Sequence, residues 1–350
     1  MPVSLFILSF DFMKKAIAYI VICIFACYVA REILYIGVRK NKIGEYDKLN
    51  TVFIKHNNYN AIIIGSSRAE SHYNSKILDS ITKLNSYNIG ISGAILPIVL
   101  TSLQCYLANS TPPRYVIMNI DFQTFESNKD TIYNFPRYFP YLGEKTLYNR
   151  LSKLDKRFSF FKWIPFYSLP FFNDSYLDAA FRGYLGLESK FDCDYIKGYV
   201  SPKTTWSTER MENTIYNPCA LILEKDFSIH LDSIINMCKQ KNIALVFVAS
   251  PSYDKQNKSI INFEELKVYL KSKSQANAIP FFDYTSGELC DNKEYFADPM
   301  HLNKKGSTLF SIKFSQDFEQ YINAKMRVYN KNTIEYRWHE KMISSNGNFN

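Results

Sequence analysis

The sequence lacks the patterns that metal, redox and nucleic-acid chemistry are built on. None of its seven cysteines lies at a C-x-x-C spacing. Cys23 and Cys27 belong to an apolar N-terminal stretch, which leaves Cys105, Cys193, Cys219, Cys238 and Cys290 as an odd set of five. Thiolate metal sites and dithiol redox centres need close cysteine pairs, so no metal and no cofactor are expected. A single disulfide between Cys193 and Cys219 stays open. Basic runs are missing too. The net charge is +9, but residues 1–42 hold six Lys and Arg against two acidic residues, leaving 36 against 31 elsewhere. That mild excess suits an anionic membrane surface or envelope polymer, while nucleic acid is not expected as a partner. Histidine is scarce: His56, His72, His230, His301 and His339 are all there are.

What is plentiful is apolar and aromatic residues, 47% and 16% of the 350. This is enough for one large α/β domain and its additions. The apolar excess begins at the N-terminus. Ala16 to Val38 is interrupted only by Arg31 and Glu32, and Lys14 and Lys15 stand before it. A positive start and an apolar stretch of that length predict a signal anchor or single transmembrane helix over residues 1–42. A cleaved signal peptide fits less well, because no small-x-small site follows the apolar core. Ile24-Phe25-Ala26-Cys27 is a poor lipoprotein box, since Phe25 is bulky and the apolar run continues past Cys27. Met13-Lys14-Lys15 is the more natural start than Met1. Cations flank both ends of the stretch, so charge does not set its orientation.

Two distant segments carry the candidate chemistry. Tyr59 to Glu70 reads YNAIIIGSSRAE, a short buried strand that meets Gly65, Ser66 and Ser67 and then turns helical. Such a turn brings a hydroxyl to the carboxyl edge of an α/β sheet, where the first N–H groups of a helix favour developing negative charge. Ala297 to Asn303 reads ADPMHLN, with Asp298 and His301 three apart and able to project from one side of a turn. Either segment alone has a plain structural explanation, as a phosphate-binding or merely structural turn and as a turn with a cap. Together they supply one serine, one imidazole and one carboxylate. Of the five histidines, only His301 has a carboxylate at short fixed spacing in such a context.

Between these segments the βαβ rhythm is legible. Strands are expected at Ala61 to Ile64, Tyr87 to Ile89, Tyr115 to Asn119, Ala244 to Ala249 and Pro280 to Asp283. Helices are expected from Glu70 to Thr82, Ile95 to Ala108, Phe227 to Gln240, Ile261 to Ala276 and Lys304 to Ala324, the last capped by Asn303. That order predicts a flavodoxin-like three-layer α/β/α sandwich with a five-stranded parallel sheet, spanning residues 61–325. A polar linker is expected over 43–60 and a loose basic tail over 326–350. An aromatic-rich insertion, 122–226, interrupts the rhythm after the third strand. It would root at the same sheet edge as Ser67 and roof a site, pack on itself, or rest on a membrane surface.

The order of serine, Asp and His resembles the SGNH (GDSL-like) hydrolase superfamily. Its first block reads Gly65-Ser66-Ser67 here, with Ser67 as nucleophile and Ser66 at the usual aspartate position. The last block reads Asp298-Pro299-Met300-His301, followed by Leu302-Asn303. The second is Asn88-Ile89-Gly90-Ile91-Ser92-Gly93, in which Gly93 matches the glycine whose N–H helps form the oxyanion hole. The third departs: Asn119-Ile120-Asp121 has no glycine, and Asp121 stands roughly where an asparagine belongs. Asn119 would substitute, or the hole would rest on the backbone N–H groups of Ser67 and Gly93. With the anchor, the pattern is similar to membrane-anchored proteins of cell-envelope polymer acylation, such as those of D-alanyl-lipoteichoic-acid biosynthesis and alginate O-acetylation. The resemblance implies a Ser67-His301-Asp298 triad and an extracytoplasmic domain. It implies esterase or O-acyltransferase action on an envelope polysaccharide or glycolipid, with a membrane acyl-donor protein as a possible partner. Arg68 is either a contact for an anionic substrate group or a surface ion-pair residue. Two other readings stand beside it: a catalytically silent glycan-binding or scaffold subunit, and a phosphate-binding protein using Gly65 to Arg68.

Overall fold

A computed structural model of the chain describes residues 10–125, 132–187, 194–202, 204–206, 218, 220–223 and 225–345. Its central sheet has five parallel strands: β1 (Ala61–Ile64), β2 (Ser86–Asn88), β3 (Tyr115–Asn119), β4 (Ala244–Ala249) and β5 (Phe281–Asp283). Their spatial order is β2-β1-β3-β4-β5. This is the doubly wound order expected above, with its topological switch point between β1 and β3.

Every residue of β1 and β3 is buried, as a strand covered on both faces requires. Alternation divides the side chains between two cores. Ile62 and Ile64 join one with Leu49, Leu103, Ile235 and Leu266. Ala61 and Ile63 join the other with Leu78, Phe310, Phe314 and Phe318. The first core is covered by helices α2 (Glu45–Phe53), α5 (Leu96–Asn109), α9 (Phe227–Gln240) and α10 (Phe263–Ala276). The second is covered by α3 (Ser67–His72), α4 (Ser75–Thr82) and α11 (Lys304–Ser345).

Three expectations are corrected. The stretch read as a polar linker contains α2, whose Leu49, Val52 and Phe53 are buried at helical spacing. One crossover helix becomes two, because the Asn74 side chain accepts from the N–H groups of Lys76 and Ile77 and caps α4 afresh. The C-terminal tail continues α11 to Ser345. Nothing in its sequence stops a helix before Gly347.

Among the described residues the insertion contains α6 (Lys145–Leu154), α7 (Arg157–Trp163), α8 (Asp174–Leu185), three 3-10 turns and a hairpin of Asp194–Ile196 with Tyr199–Ser201. Its aromatic residues largely pack on one another. Phe139 and Phe161 rings lie 4.6 Å apart, and Phe172 stacks on Tyr176 at 4.7 Å. Phe139, Phe158 and Phe161 belong to the same buried cluster as Ile62 and Leu103, so the insertion extends the first core. Cys193 and Cys219 lie outside the described residues. Among those described, one helix, Phe12–Arg39 within α1 (Phe10–Arg39), is long and apolar enough to cross a membrane, with a mean hydropathy of 2.1.

Candidate active site

The chain leaves β1 through Gly65, whose φ of 143° and close approach to Ala69 admit no side chain. That turn sets Ser67 at the first position of α3, where its N–H has no helical acceptor. Its Oγ lies 2.7 Å from His301 Nε2. On the far side of the ring, Nδ1 lies 2.8 Å and 2.9 Å from the two carboxylate oxygens of Asp298.

Asp298 and His301 do not stand on a helix. They occupy a tight turn closed at its base by the antiparallel bridge of Phe296 with Leu302. Asp298 Oδ1 also accepts from the N–H groups of Met300 and His301, at 2.8 Å and 2.9 Å. Burial pushes this carboxyl up, but the His301 hydrogen bond and charge together with those two N–H donors outweigh it and hold it below its ordinary range. An ionised carboxylate only accepts, so Nδ1 carries the proton and Nε2 presents its lone pair to the Ser67 hydroxyl. The turn then hands over to α11 through Asn303, whose Oδ1 caps the helix at the Gly306 N–H, 3.0 Å away. Ser67 and His301 are half-buried, open enough for a ligand to reach them. Chemically, this arrangement can deprotonate a hydroxyl as it attacks an electrophile.

The loop after β2 is tied to α3 from several directions. Asn88 Nδ2 donates to the Ala69 and Tyr73 carbonyls at 2.7 Å and 3.1 Å, and its Oδ1 accepts from Gly90 N–H at 3.0 Å. Gly90 passes so near α3 that a Cβ would lie 2.7 Å from the Glu70 nitrogen. Gly93 has φ of 67°, and Tyr133 of the insertion packs where its side chain would be. Two buried cations take carbonyls of this loop: Lys48 Nζ donates to Gly90 O at 2.8 Å and Arg137 Nη2 to Ser92 O at 2.8 Å. Their charges are matched by Glu70 and Glu45.

Both polar residues of the third block are held by neighbouring hydroxyls. Asn119 is closed off at 1% exposure, and its Oδ1 accepts from the Tyr73 hydroxyl at 2.7 Å. Among the described residues its buried Nδ2 meets no hydrogen-bond acceptor, and this is the group that a side-chain donor role would use. Asp121 accepts from Ser66 Oγ at 2.7 Å and lies 3.9 Å from Arg68 Nη1.

Arg68 is not a surface residue. It is 6% exposed and donates to the Ser250 carbonyl as well as facing Asp121. With Phe122, Ile260 and Met300 it lines a narrow cavity of about 20 Å³.

The residue that sequence reasoning missed is His72. It has no carboxylate at a short spacing, which is the signal that singled out His301. Its Nε2 accepts from Leu302 N–H at 3.0 Å, so Nδ1 carries the proton and donates to Ser250 Oγ at 2.9 Å. One buried imidazole thus joins α3, the end of β4 and the residue after His301. Burial, then the Arg68 and His301 charges, push its pKa well below the ordinary 6.5. In the window below pH 6.5 the unfolded chain takes up this proton and the folded chain does not, so stability falls as pH falls. We expect His72→Gln to flatten that slope by up to about 1.4 kcal/mol per pH unit. Melting curves of parent and variant across the window check this; equal slopes would remove His72 from the account.

No protein-family model and no curated protein matches the chain. Among solved structures it is similar to a GDSL-like lipase from Bacteroides thetaiotaomicron, at 11% identity and a TM-score of 0.36, over 75% of this chain and 88% of that one. It is also similar to an acetyl xylan esterase, Est2A, from Butyrivibrio proteoclasticus, at 11% identity and a TM-score of 0.31, over 79% of this chain and 64% of that one. Likeness at this level carries no chemistry across, and the chemistry rests on this chain's own side chains.

Proposed function

We propose that this chain is a membrane-anchored serine esterase or O-acyltransferase acting on a cell-envelope polysaccharide or glycolipid. The observation that carries the reading is the continuous path from Ser67 Oγ to His301 Nε2, at 2.7 Å, and from His301 Nδ1 to Asp298. In the proposed reaction the Ser67 oxygen attacks an ester carbonyl while its proton passes to His301 Nε2. Asp298 holds the tautomer and stabilises the imidazolium. The oxyanion meets the N–H groups of Ser67 and Gly93. Collapse of the tetrahedral intermediate returns the proton to the departing alcohol and leaves an acyl group on Ser67. Water completes hydrolysis; a sugar hydroxyl completes transfer, with a membrane protein as the source of acyl groups. A side-chain oxyanion donor typically contributes a hundred- to a thousand-fold, so an enzyme with backbone donors alone is slow but active.

The apolar helix and the mild basic excess support the membrane and the anionic polymer. A second reading, a silent glycan-binding or scaffold subunit, draws on Asp121, a carboxylate that accepts from Ser66 where the third block would carry an asparagine.

One experiment separates the two. The full chain in detergent is treated with a fluorophosphonate probe and digested for mass spectrometry, alongside Ser67→Ala. The adduct is expected on Ser67 and absent in the variant, with acetyl-ester turnover by the parent alone. A folded parent that neither forms the adduct nor turns over the ester would leave the silent reading in place.

A further inference from the structure

The helix expected to cross the membrane does not leave it as a free stalk. Its last turns are packed against the insertion at successive levels, and those contacts run antiparallel. Asn41 Nδ2 donates to Ala179 O at 2.8 Å. One turn nearer the apolar span, Gly37 and Gly183 touch backbone to backbone, and a Cβ on Gly183 would lie 1.8 Å from Gly37 O. Nearer still, the Tyr184 hydroxyl donates to Ile33 O at 2.7 Å. From α7, Lys162 O accepts from Arg31 Nη1 at 3.2 Å. The C-terminal end of α7 therefore reaches the level of Arg31, and the end of α8 lies along Ile33 to Asn41. Arg31 is the first charge after the uncharged run Ala16 to Ala30, and Ile33 and Ile36 beyond it are still exposed, so the apolar span ends between Arg31 and Arg39.

Over those turns the insertion turns apolar groups outward: Trp163, beside Arg31, is 71% exposed, and along the end of α8 Phe181 is 62%, Leu185 55% and Leu187 50% exposed. Cations interleave with them: Lys162 Nζ sits 5.2 Å from the Trp163 ring and Lys40 Nζ 4.6 Å from the Tyr184 ring. Exposed Trp and Leu beside snorkelling lysines, at the depth where a spanning helix emerges, is the composition of a bilayer interface.

We propose that the ends of α7 and α8 form a collar seated in the headgroup boundary of the bilayer that α1 enters. The collar rests on the membrane-spanning reading of α1. Held at several levels along α1 and seated in the interface, the domain cannot swing about its anchor. Ser67 is then held at one fixed orientation relative to the bilayer, which suits an acyl acceptor that is itself lipid-linked or membrane-apposed.

Intrinsic fluorescence tests this in the full chain reconstituted into lipid nanodiscs. Trp206→Phe with Trp338→Phe leaves Trp163 as the reporter, and brominated lipids quench it by depth. Bromine near the headgroup is expected to cause a larger fractional loss of Trp163 emission than bromine near the chain ends. A second chain carrying Phe25→Trp and no other tryptophan serves as the span control, and it is expected to be quenched most by deep bromine. If Phe25→Trp is quenched and Trp163 is not, the helix spans but the ridge faces water or another protein, and the collar is wrong. If neither is quenched, the spanning reading fails and takes the collar with it. Subtracting the quenching of Trp163→Phe from that of the parent gives the same comparison should the double replacement fail to fold.

Discussion

His301→Ala is expected to lower ester turnover on the order of a million-fold, leaving only what the oxyanion donors and substrate binding contribute. The more discriminating variant is Asp298→Asn, expected to cost about ten-thousand-fold in kcat with little loss of stability. Its side-chain oxygen can still accept from the N–H groups of Met300 and His301, the bonds that shape the turn. Its amide, however, donates to Nδ1 and drives the ring proton onto Nε2, where it meets the Ser67 hydroxyl and leaves it without an acceptor. Structure is retained and the tautomer is inverted. Steady-state kinetics on an acetyl ester, paired with melting temperatures, reads both effects. Asp298→Asn within tenfold of the parent would mean that the carboxylate does not set the tautomer, and the proposed triad would fail.

How much of this was legible in the sequence follows from which forces act locally. The strands Ala61–Ile64, Tyr115–Asn119 and Ala244–Ala249 were readable to the residue, because a short apolar run between turn residues has few other uses. The Gly65 turn and the Asp298 to His301 spacing were readable because their chemistry is local in the chain. Buried charge was not. Lys48, in a stretch that reads as a polar linker, and Arg68, in one that reads as a helix surface, are paired with groups 22 and 182 positions away. His72 is likewise defined by Ser250 and Leu302, 178 and 230 positions off. No spacing rule sees such partners. The sequence leaves the insertion open between a roof over the site, a self-packed unit and a membrane-resting face; among the described residues Phe135, Phe139, Phe161 and Phe171 pack on one another, since rings of that size also fill a core.

Lys48 gives the second large effect. Its ammonium is 1% exposed and bonded to Glu70 and to the Gly90 carbonyl. Lys48→Met preserves most of the volume and removes the charge, leaving the Glu70 carboxylate, only 16% exposed, without its partner. Truncating one side of a buried pair costs about 3–5 kcal/mol. The low end is expected here, because Glu70 keeps some solvent and the Arg137 charge also acts on it. Glu70→Gln in the same chain removes the stranded charge and should recover part of the loss, as neutral replacement of a buried pair often does. The recovery, read from a double-mutant cycle in denaturant, measures the coupling itself. A coupling within about 0.5 kcal/mol of zero would mean the pair is not load-sharing in the folded state. Activity adds an independent reading. The Gly90 carbonyl is one of two that cations hold on the loop ending in Gly93, so Lys48→Met should lower kcat more than it raises KM, the mark of an interaction made in the transition state. The Glu70→Gln second change, which restores charge balance but not the donor to Gly90, should recover stability without recovering kcat.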